Sequence, residues 1–270
     1  VVRVDLTNEH TDVKVMFSKK GISHRDTVSN MVRDTGAIAG INGDFFQFSP
    51  ATPLEGAIND GEFISSPKHS AYGPRPHLVI DNNKNPYIAW FDRKMTVTSS
   101  ATNKPITISA INKASVNYNE VVLYNKYWAD KSIGNVKHKD MIEVVVKDDI
   151  VTDVRIGKGP VAIPKNGYIL TGRSRVESWL LDNFHVGDKV KLNITSTPNF
   201  ENIKMAIGGG AKILENGKIV SKGTNMKGNN PRTGIGITKD KSQLILVTID
   251  GRDSTFIGVP QNTFASILKD

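Results

Sequence analysis

The sequence predicts an α+β fold that is rich in β-structure, with mixed and antiparallel sheets built from serial hairpins and a few short helices. Three observations predict it. Apolar and polar residues alternate at period two in segment after segment. Turn-forming pairs such as Asp60-Gly61, Asp148-Asp149 and Asn216-Gly217 fall between those segments. Helical spacing is confined to three short windows.

Taken in order, "VVRVDL" and "DVKVMF" alternate and read as strands. In "RDTVSNMVRDTG", Val28, Met31 and Val32 share one helical face and Gly36 is placed as a stop. "AIAGIN" then reads as a buried strand. "AINDGEFISS" reads as a hairpin turning at Asp60-Gly61, because those residues tolerate positive φ. "HLVIDNNKNPYIAWFD" repeats the scheme with its turn at Asn82 to Asn85, and "MIEVVVKDDIVTDVRIG" repeats it at Asp148-Asp149. The second helix is "SRVESWLLDNF", where Ser174 and Glu177 are spaced as a capping box and Val176, Trp179 and Leu180 supply the apolar face. "KVKLNIT" and "IKMAIGGGAKILENGKIV" return to strands, the latter turning at Asn216-Gly217. "RTGIGIT" and "LILVTIDGR" pair around "KDKS". The third helix starts near Pro260 and places Phe264, Ile267 and Leu268 on one side.

The 270 residues are 38% apolar, enough for a packed core in one large domain or two small ones, and the expectation is a single domain spanning 1–270. No run approaches the roughly 18 apolar residues of a membrane-spanning helix. The first ten residues carry neither a basic nor an apolar leader region, so the reading is a removed signal or a start inside a longer protein. With no cysteine, disulfides, thiolate metal sites and a cysteine nucleophile are excluded, and the redox compartment stays open. The 35 basic and 27 acidic side chains leave a net charge of +8, scattered in stretches such as "VKHKD" and "KDKS". That excess reads as a solvated lysine-rich surface or as attraction to an anionic polymer such as a phosphate-containing wall glycan. Nothing supports a nucleic-acid partner.

Four places break the local rules in ways that suggest a site. The first is "GAIAGINGDFF", which sets Asn42, Gly43 and Asp44 against an apolar run and two phenylalanines. Asn-Gly-Asp is either a strand-ending turn or a polar tip able to bond sugar hydroxyls or steady a developing positive charge. The second is Glu55-Gly56 in "PLEGAINDG", a solvated hairpin entrance or a site carboxylate. The third is Gly208 and Gly209 in "AIGGGAKIL", whose amides either approach an anion or serve close strand packing. The fourth couples Arg232 and Thr233 in "PRTGIGI" with Asp250, Gly251 and Arg252 in "VTIDGR". A hairpin brings those ends together, as an ion pair pinning the turn or as a phosphate grip beside a carboxylate base.

Together, "AGINGDFF", "PLEGAINDGEFISS", "IGGGAKILENGK", "PRTGIGIT" and "LVTIDGR" stand in the order and approximate spacing of the phosphodiester glycosidase family, which the chain resembles over residues 36–66 and 205–268. The resemblance implies hydrolysis of a sugar-1-phosphodiester at the anomeric carbon, releasing free sugar and a phosphomonoester. It implies Asp44, Asp250, Arg232 and Arg252 as catalytic residues, and Asn42, Gly43, Glu55, Gly208, Gly209, Thr233 and Gly251 as substrate-binding ones. Two guanidiniums suit a departing phosphate, and the carboxylates suit an oxocarbenium-like state or water activation. The expected partner is a phosphorylated glycan or sugar-1-phosphodiester, in a secreted or cell-surface bacterial protein, with no cofactor and no metal. Asp148, Asp149 and Asp153 read as a solvated turn because they lack the spacing of an oxygen-ligand loop.

Family members continue past the helix matched by "NTFASILKD" into a strand and an L-D-G-G-G-S element, which this chain does not reach. The expectation is therefore a domain incomplete at its C-terminus, whose 270 residues are inactive alone or associate with a C-terminal segment of the same protein that completes the site. Residues of about 87–200 match only loosely and read as an inserted lobe. Its Tyr118, Tyr124, Tyr127 and Trp128 are core residues or sugar-stacking ones. His69 and His77 read as surface or packing residues. The competing class is a glycan-binding surface module without catalysis.

Overall fold

A computed structural model describes residues 1–48, 51–67, 74–114, 116–224 and 226–269. His69 lies outside these. In chain order the strands are β1 Val2–Asp5, β2 Phe46–Phe48, β3 Ala51–Pro53, β4 Ala57–Asn59, β5 Glu62–Ser65, β6 His77–Asp81, β7 Pro86–Ala89, β8 Asp92–Ser99, β9 Pro105–Thr107, β10 Ala110–Ile111, β11 Val121–Asn125, β12 Met141–Lys147, β13 Ile150–Ile156, β14 Gly167–Arg173, β15 Val190–Thr197, β16 Ile203–Gly208, β17 Ala211–Glu215, β18 Lys218–Gly223, β19 Arg232–Ile237 and β20 Gln243–Ile249. The helices are α1 Val28–Thr35, α2 Arg175–Asn183 and α3 Gln261–Lys269. The fold is β-rich α+β, as the alternation in the sequence predicts.

Two five-stranded sheets carry the order β5-β4-β16-β6-β7 and β10-β11-β14-β12-β13. Around them stand β1-β20-β19, β15-β8-β9 and the ribbons β17-β18 and β2-β3. Tight turns make the hairpins. Asp60 and Gly61 take φ of 47° and 74°, Asp148 and Asp149 take 49° and 59°, and Asn216 and Gly217 take 51° and 72°. Positive φ at both central positions matches the twist of antiparallel strands, which is why Asp, Asn and Gly occupy them. At the turn after β6, the Asp81 carboxylate accepts the N–H groups of Asn83 and Asn85 at 2.8 and 2.9 Å.

One core joins most of these layers. Ile58, Phe63 and Val79 of the first sheet pack with Val97, with Val144 and Leu170 of the second sheet, and with Leu180 of α2. Residues 87–200 thus share their main core with the rest of the chain. A second cluster of Leu6, Leu78, Ile80, Met205 and Leu244 lays the β1-β20-β19 sheet against β6 and β16. This packing brings the start of β19 toward the end of β16. Tyr124 and Trp128 are core residues, Tyr127 is half-buried, and Tyr118 is exposed.

The structure corrects four sequence expectations. "AIAGIN" is not a buried strand: residues 37–45 form no strand, and Ile38 is fully exposed. The β-branched Ile38 and Ile41 favour extended backbone, but Ala and Gly around them do not, and a strand also requires a partner edge, which none of the described residues provides here. "DVKVMF" forms no strand either. The Asn59 amide takes both backbone groups of Val15, accepting its N–H at 2.9 Å and donating to its carbonyl at 2.9 Å, in place of a ladder. Ser174 precedes α2 with φ 62° and makes no side-chain cap bond, so the capping box does not form. In α3, which packs near the β17-β18 ribbon, Phe264 and Ala265 are buried while Ile267 is exposed, so Ile267 does not belong to the buried face. The helix α1 forms as expected, capped by the Thr27 hydroxyl and closed by Gly36 at φ 68°.

Glu143 in β12 is fully buried. Its carboxylate faces Arg155 Nε at 3.4 Å and accepts the Gly134 N–H at 3.1 Å, and burial raises its pKa. Replacing Glu143 by Ala removes the buried partner of Arg155 Nε and of the Gly134 N–H, leaving Arg155 only Asp153 and the Gly159 carbonyl, so we expect a loss of unfolding free energy on the order of 3 kcal/mol. Urea unfolding of Glu143→Ala measures it, and an unchanged midpoint would contradict this account of the ion pair.

Candidate active site

The opening motif runs along β16. A Cβ on Gly43 would lie 2.5 Å from Ile207 Cδ1, so the motif approaches β16 closely there and a larger residue would have to displace the tip of that side chain. The positive φ falls instead on Asp44, at 56°. That conformation turns the Asp44 carboxylate back on the chain, where it accepts the Phe45 N–H at 2.6 Å and the Glu55 N–H at 2.8 Å. Asp44 and Glu55 are thereby tied together across eleven positions of sequence.

Glu55 is buried beneath this turn. Its carboxylate stands 3.4 Å from Arg75 Nη1. Arg75 donates from Nε to the Thr224 hydroxyl at 3.1 Å, and its guanidinium lies 5.3 Å from the centre of the Phe45 ring. Lys113 comes from the second sheet. Its ammonium donates to the carbonyls of Pro53 and Glu55 at 2.6 and 2.8 Å, with a longer bond of 3.3 Å to Leu54.

These surroundings set the protonation. Burial pushes the Asp44 carboxyl up to about 6, against the pull of Lys113, its two N–H donors and Arg75. Burial and the neighbouring Asp44 raise Glu55 as well, so the two carboxyls titrate as a coupled pair. His77 is a buried positioning residue. Its Nε2 accepts the Gly56 N–H at 3.1 Å and its Nδ1 donates to the Arg75 carbonyl at 3.1 Å, while burial lowers its pKa to about 4. The imidazole is therefore neutral and fixes Gly56, next to Glu55, and the backbone of Arg75.

The glycine run has a packing role. Gly208 donates its N–H to the Gly56 carbonyl at 3.0 Å and Gly209 donates to the Pro76 carbonyl at 2.9 Å, so neither amide is aimed at a ligand. A Cβ on Gly208 would sit 2.2 Å from Glu55 Cβ. Of the two alternatives open in the sequence, close packing is the one seen.

The distant motif arrives through Thr233. Its hydroxyl donates to Asn42 Oδ1 at 2.6 Å, which joins β19 to the opening stretch. Successive strand residues face opposite ways, and Arg232 faces away from this contact. Its guanidinium donates to the carbonyls of Val259, Met226 and Gly228 at 2.9, 2.9 and 3.0 Å, so in this structure it holds loops together. Arg232 pairs with Ile249 in the ladder, which sets Asp250 and Gly251 beside Pro231, the latter within 2.5 Å of the Pro231 N for an added Cβ. Asp250 and Arg252 are exposed at that end. The cations at the carboxylates are Arg75 and Lys113, which sequence reasoning missed. Neither stands in a recognisable motif, and only the packing of β10 and β16 around residues 53–56 brings them there. Among the described residues no three His, Asp or Glu side chains gather as a metal-ligand set.

Residues 140–270 match the model of the phosphodiester glycosidase family, and the resemblance carried by the motifs holds over that stretch. The match includes Gly208, Gly209, Arg232, Thr233, Asp250, Gly251 and Arg252 and begins after Asn42, Asp44 and Glu55. No curated protein matches the sequence. Crystal structures that share the fold include a hypothetical protein from Synechocystis, with a TM-score of 0.74 and 19% identity over 94% of this chain and 48% of that one. A putative exported protein from Burkholderia pseudomallei K96243 gives a TM-score of 0.80 and 18% identity over 98% of this chain and 64% of that one. The chain spans about half the length of the first and just under two thirds of the second.

Two outcomes follow from this geometry. Gly208→Ala forces the new methyl group into Glu55 and is expected to destabilise the protein by roughly 1–3 kcal/mol. Gly159→Ala, which has open space around it, serves as the neutral comparison in the same thermal unfolding measurement. The second outcome concerns pH. The folded-state pKa of Asp44 is raised from 3.8 to about 6, so its stabilising protonation is complete below the lower value and is lost as pH rises through the higher one. Unfolding free energy measured across that window should fall with rising pH, by about 3 kcal/mol at most. The fall should flatten in Asp44→Asn; an equal slope in the variant would remove Asp44 as its source.

Proposed function

We propose that the chain carries the catalytic machinery of a hydrolase that cleaves a sugar-1-phosphodiester at the anomeric carbon. Water adds its hydroxyl to that carbon, the bond to phosphate oxygen breaks, and the products are free sugar and a phosphomonoester. The observation that carries the reading is the Asn42–Thr233 hydrogen bond, which joins the Asp44–Glu55 carboxyl pair to the part of the chain matched by the family.

In this reading Asp44, with a carboxyl poised at about 6, takes a proton from the attacking water. Glu55, Arg75 and Lys113 set the field that poises it. The phosphate is a good leaving group and needs charge stabilisation more than protonation. Asp250 and Arg252, exposed at the end of β20, are the groups available to meet the sugar and the phosphate. Arg232 acts as a positioning residue for the loops around them. Asn42, Gly43, Thr233 and Gly251 shape the wall, and Gly208 and Gly209 seat Glu55. A phosphorylated glycan at a bacterial cell surface is the proposed setting, supported by the similarity to a protein described as exported.

The test is incubation of the full-length protein with the methyl phosphodiester of N-acetylglucosamine 1-phosphate, scoring released sugar. Asp44→Asn should lower release by roughly 10²–10⁴-fold with the fold intact. Undiminished release from that variant would sink the role of Asp44. Saturable binding of the diester with no release from the wild type would favour the glycan-binding module, a reading supported by the engagement of Arg232 with three carbonyls.

A further inference from the structure

A cleft of about 600 Å³ opens in the central region between Ala114, Val116 and Asn117 on one side and residues 133–138 on the other. Its size falls within the range of ligand-binding pockets, roughly 300–1,000 Å³. Val116, Ile133, Met141 and Pro160 line it with apolar surface, and Lys137, His138 and Arg173 supply its polar rim. The basic stretch "VKHKD", which by sequence is either a solvated surface or an attractor of anionic polymer, therefore borders a concavity.

Lys137 and His138 are exposed, and among the described residues their side chains engage no protein partner. Arg173 is half engaged. Its Nη2 lies 3.2 Å from Asp140, its guanidinium sits 4.7 Å above the Tyr118 ring, and its buried Nε has no hydrogen-bond partner among the described residues. Tyr118 itself is 65% exposed. The nearby acids are Asp140, paired with Arg173, and Glu120, which accepts from the Asn117 N–H and side-chain amide at 3.2 and 3.3 Å. Arg173 thus stands over an aromatic ring, and Lys137 and His138 follow the exposed aliphatic side chain of Val136 in the lining. A sugar ring presents C–H faces to such surfaces and polar edges to such donors, and a phosphate on it answers the charge.

The walls are held in place before any ligand arrives. Gly134 takes φ 68°, a Cβ on it would lie 2.7 Å from the Pro160 N, and its N–H is held by the buried Glu143. Next to the lining residues Ile133 and Pro160, Ser132 donates its N–H to the Val161 carbonyl at 2.8 Å and its hydroxyl accepts the Val161 N–H at 3.1 Å. The cleft also begins one residue from the candidate active site: Lys113 grips the carbonyls of residues 53–55, and Ala114 lines the cleft.

We propose that this cleft is an accessory binding site for a phosphate-bearing saccharide, holding a neighbouring unit of an anionic glycan outside the hydrolytic site. The binding stands on the cleft alone; its service to the reaction rests on the function proposed above. The experiment is titration of full-length, isotope-labelled protein with N-acetylglucosamine 1-phosphate, N-acetylglucosamine, galacturonate and inorganic phosphate, read as amide shifts at residues 133–138. Only the sugar phosphate should saturate these signals at low concentration, with the other three weaker by about tenfold or more. Added salt should weaken it. Lys137→Glu with His138→Glu, and separately Val136→Asp, should each reduce affinity at these signals about tenfold while surface placement spares the fold. Asp44→Asn should leave the cleft signals unchanged even as it abolishes sugar release, which keeps the two claims separable. Shifts that stay unaffected in both surface variants, or equal affinity for inorganic phosphate or galacturonate, would overturn the proposal.

Discussion

Glu55 has nowhere to go except against a glycine. Its side chain is buried on β16, where a methyl group at position 208 would overlap it, and its amide is already bonded to the Asp44 carboxylate. Around this contact the fold satisfies an otherwise costly set of buried polar groups. The carbonyls of residues 53–55 receive the ammonium of Lys113, the Gly56 N–H receives His77, and the Glu55 carboxylate receives Arg75. Unpaired, each of these groups would carry a desolvation penalty of about 1–3 kcal/mol, more for the charges. The knot is therefore held from several directions at once, and the position of Asp44 follows from it.

The same knot sorts the charges of the candidate site. Arg75 and Lys113 stand inside, close enough to oppose the burial of two carboxyls without fully reversing it. Arg232 stands outside and organises loops, while Asp250 and Arg252 end β20 in solvent. The division has a simple cause. Alternation along β19 gives Thr233 to Asn42 and turns Arg232 to the other face, so two neighbours in one motif take different tasks.

Away from that centre, the central sheet combines a buried ion pair with an open cleft. Glu143 and Arg155 stabilise little by their own attraction once desolvation is counted. Their effect is positional, since Glu143 fixes Gly134 and with it one wall of the basic cleft. A shared hydrophobic core connects that sheet to the five-stranded sheet of β4 and β16, against which Glu55 packs, so the cleft and the candidate site belong to one packed body.

The sequence by itself determined the hairpins, because the residues that permit paired positive φ angles are few and stand where the turns occur. Asp60-Gly61, Asp148-Asp149 and Asn216-Gly217 each mark one. It also determined α1, through Thr27 and Gly36, while it left both Asp44 and Glu55 open between a turn role and a site role. Only the tertiary structure decided that "AIAGIN" and "DVKVMF" are not strands, since strand formation depends on a neighbour that propensity does not encode. It alone decided which cations face the carboxylates. Arg75 and Lys113 lie far along the chain from each other and in no motif, and electrostatic contact is set by distance in space, which the order of residues leaves unspecified.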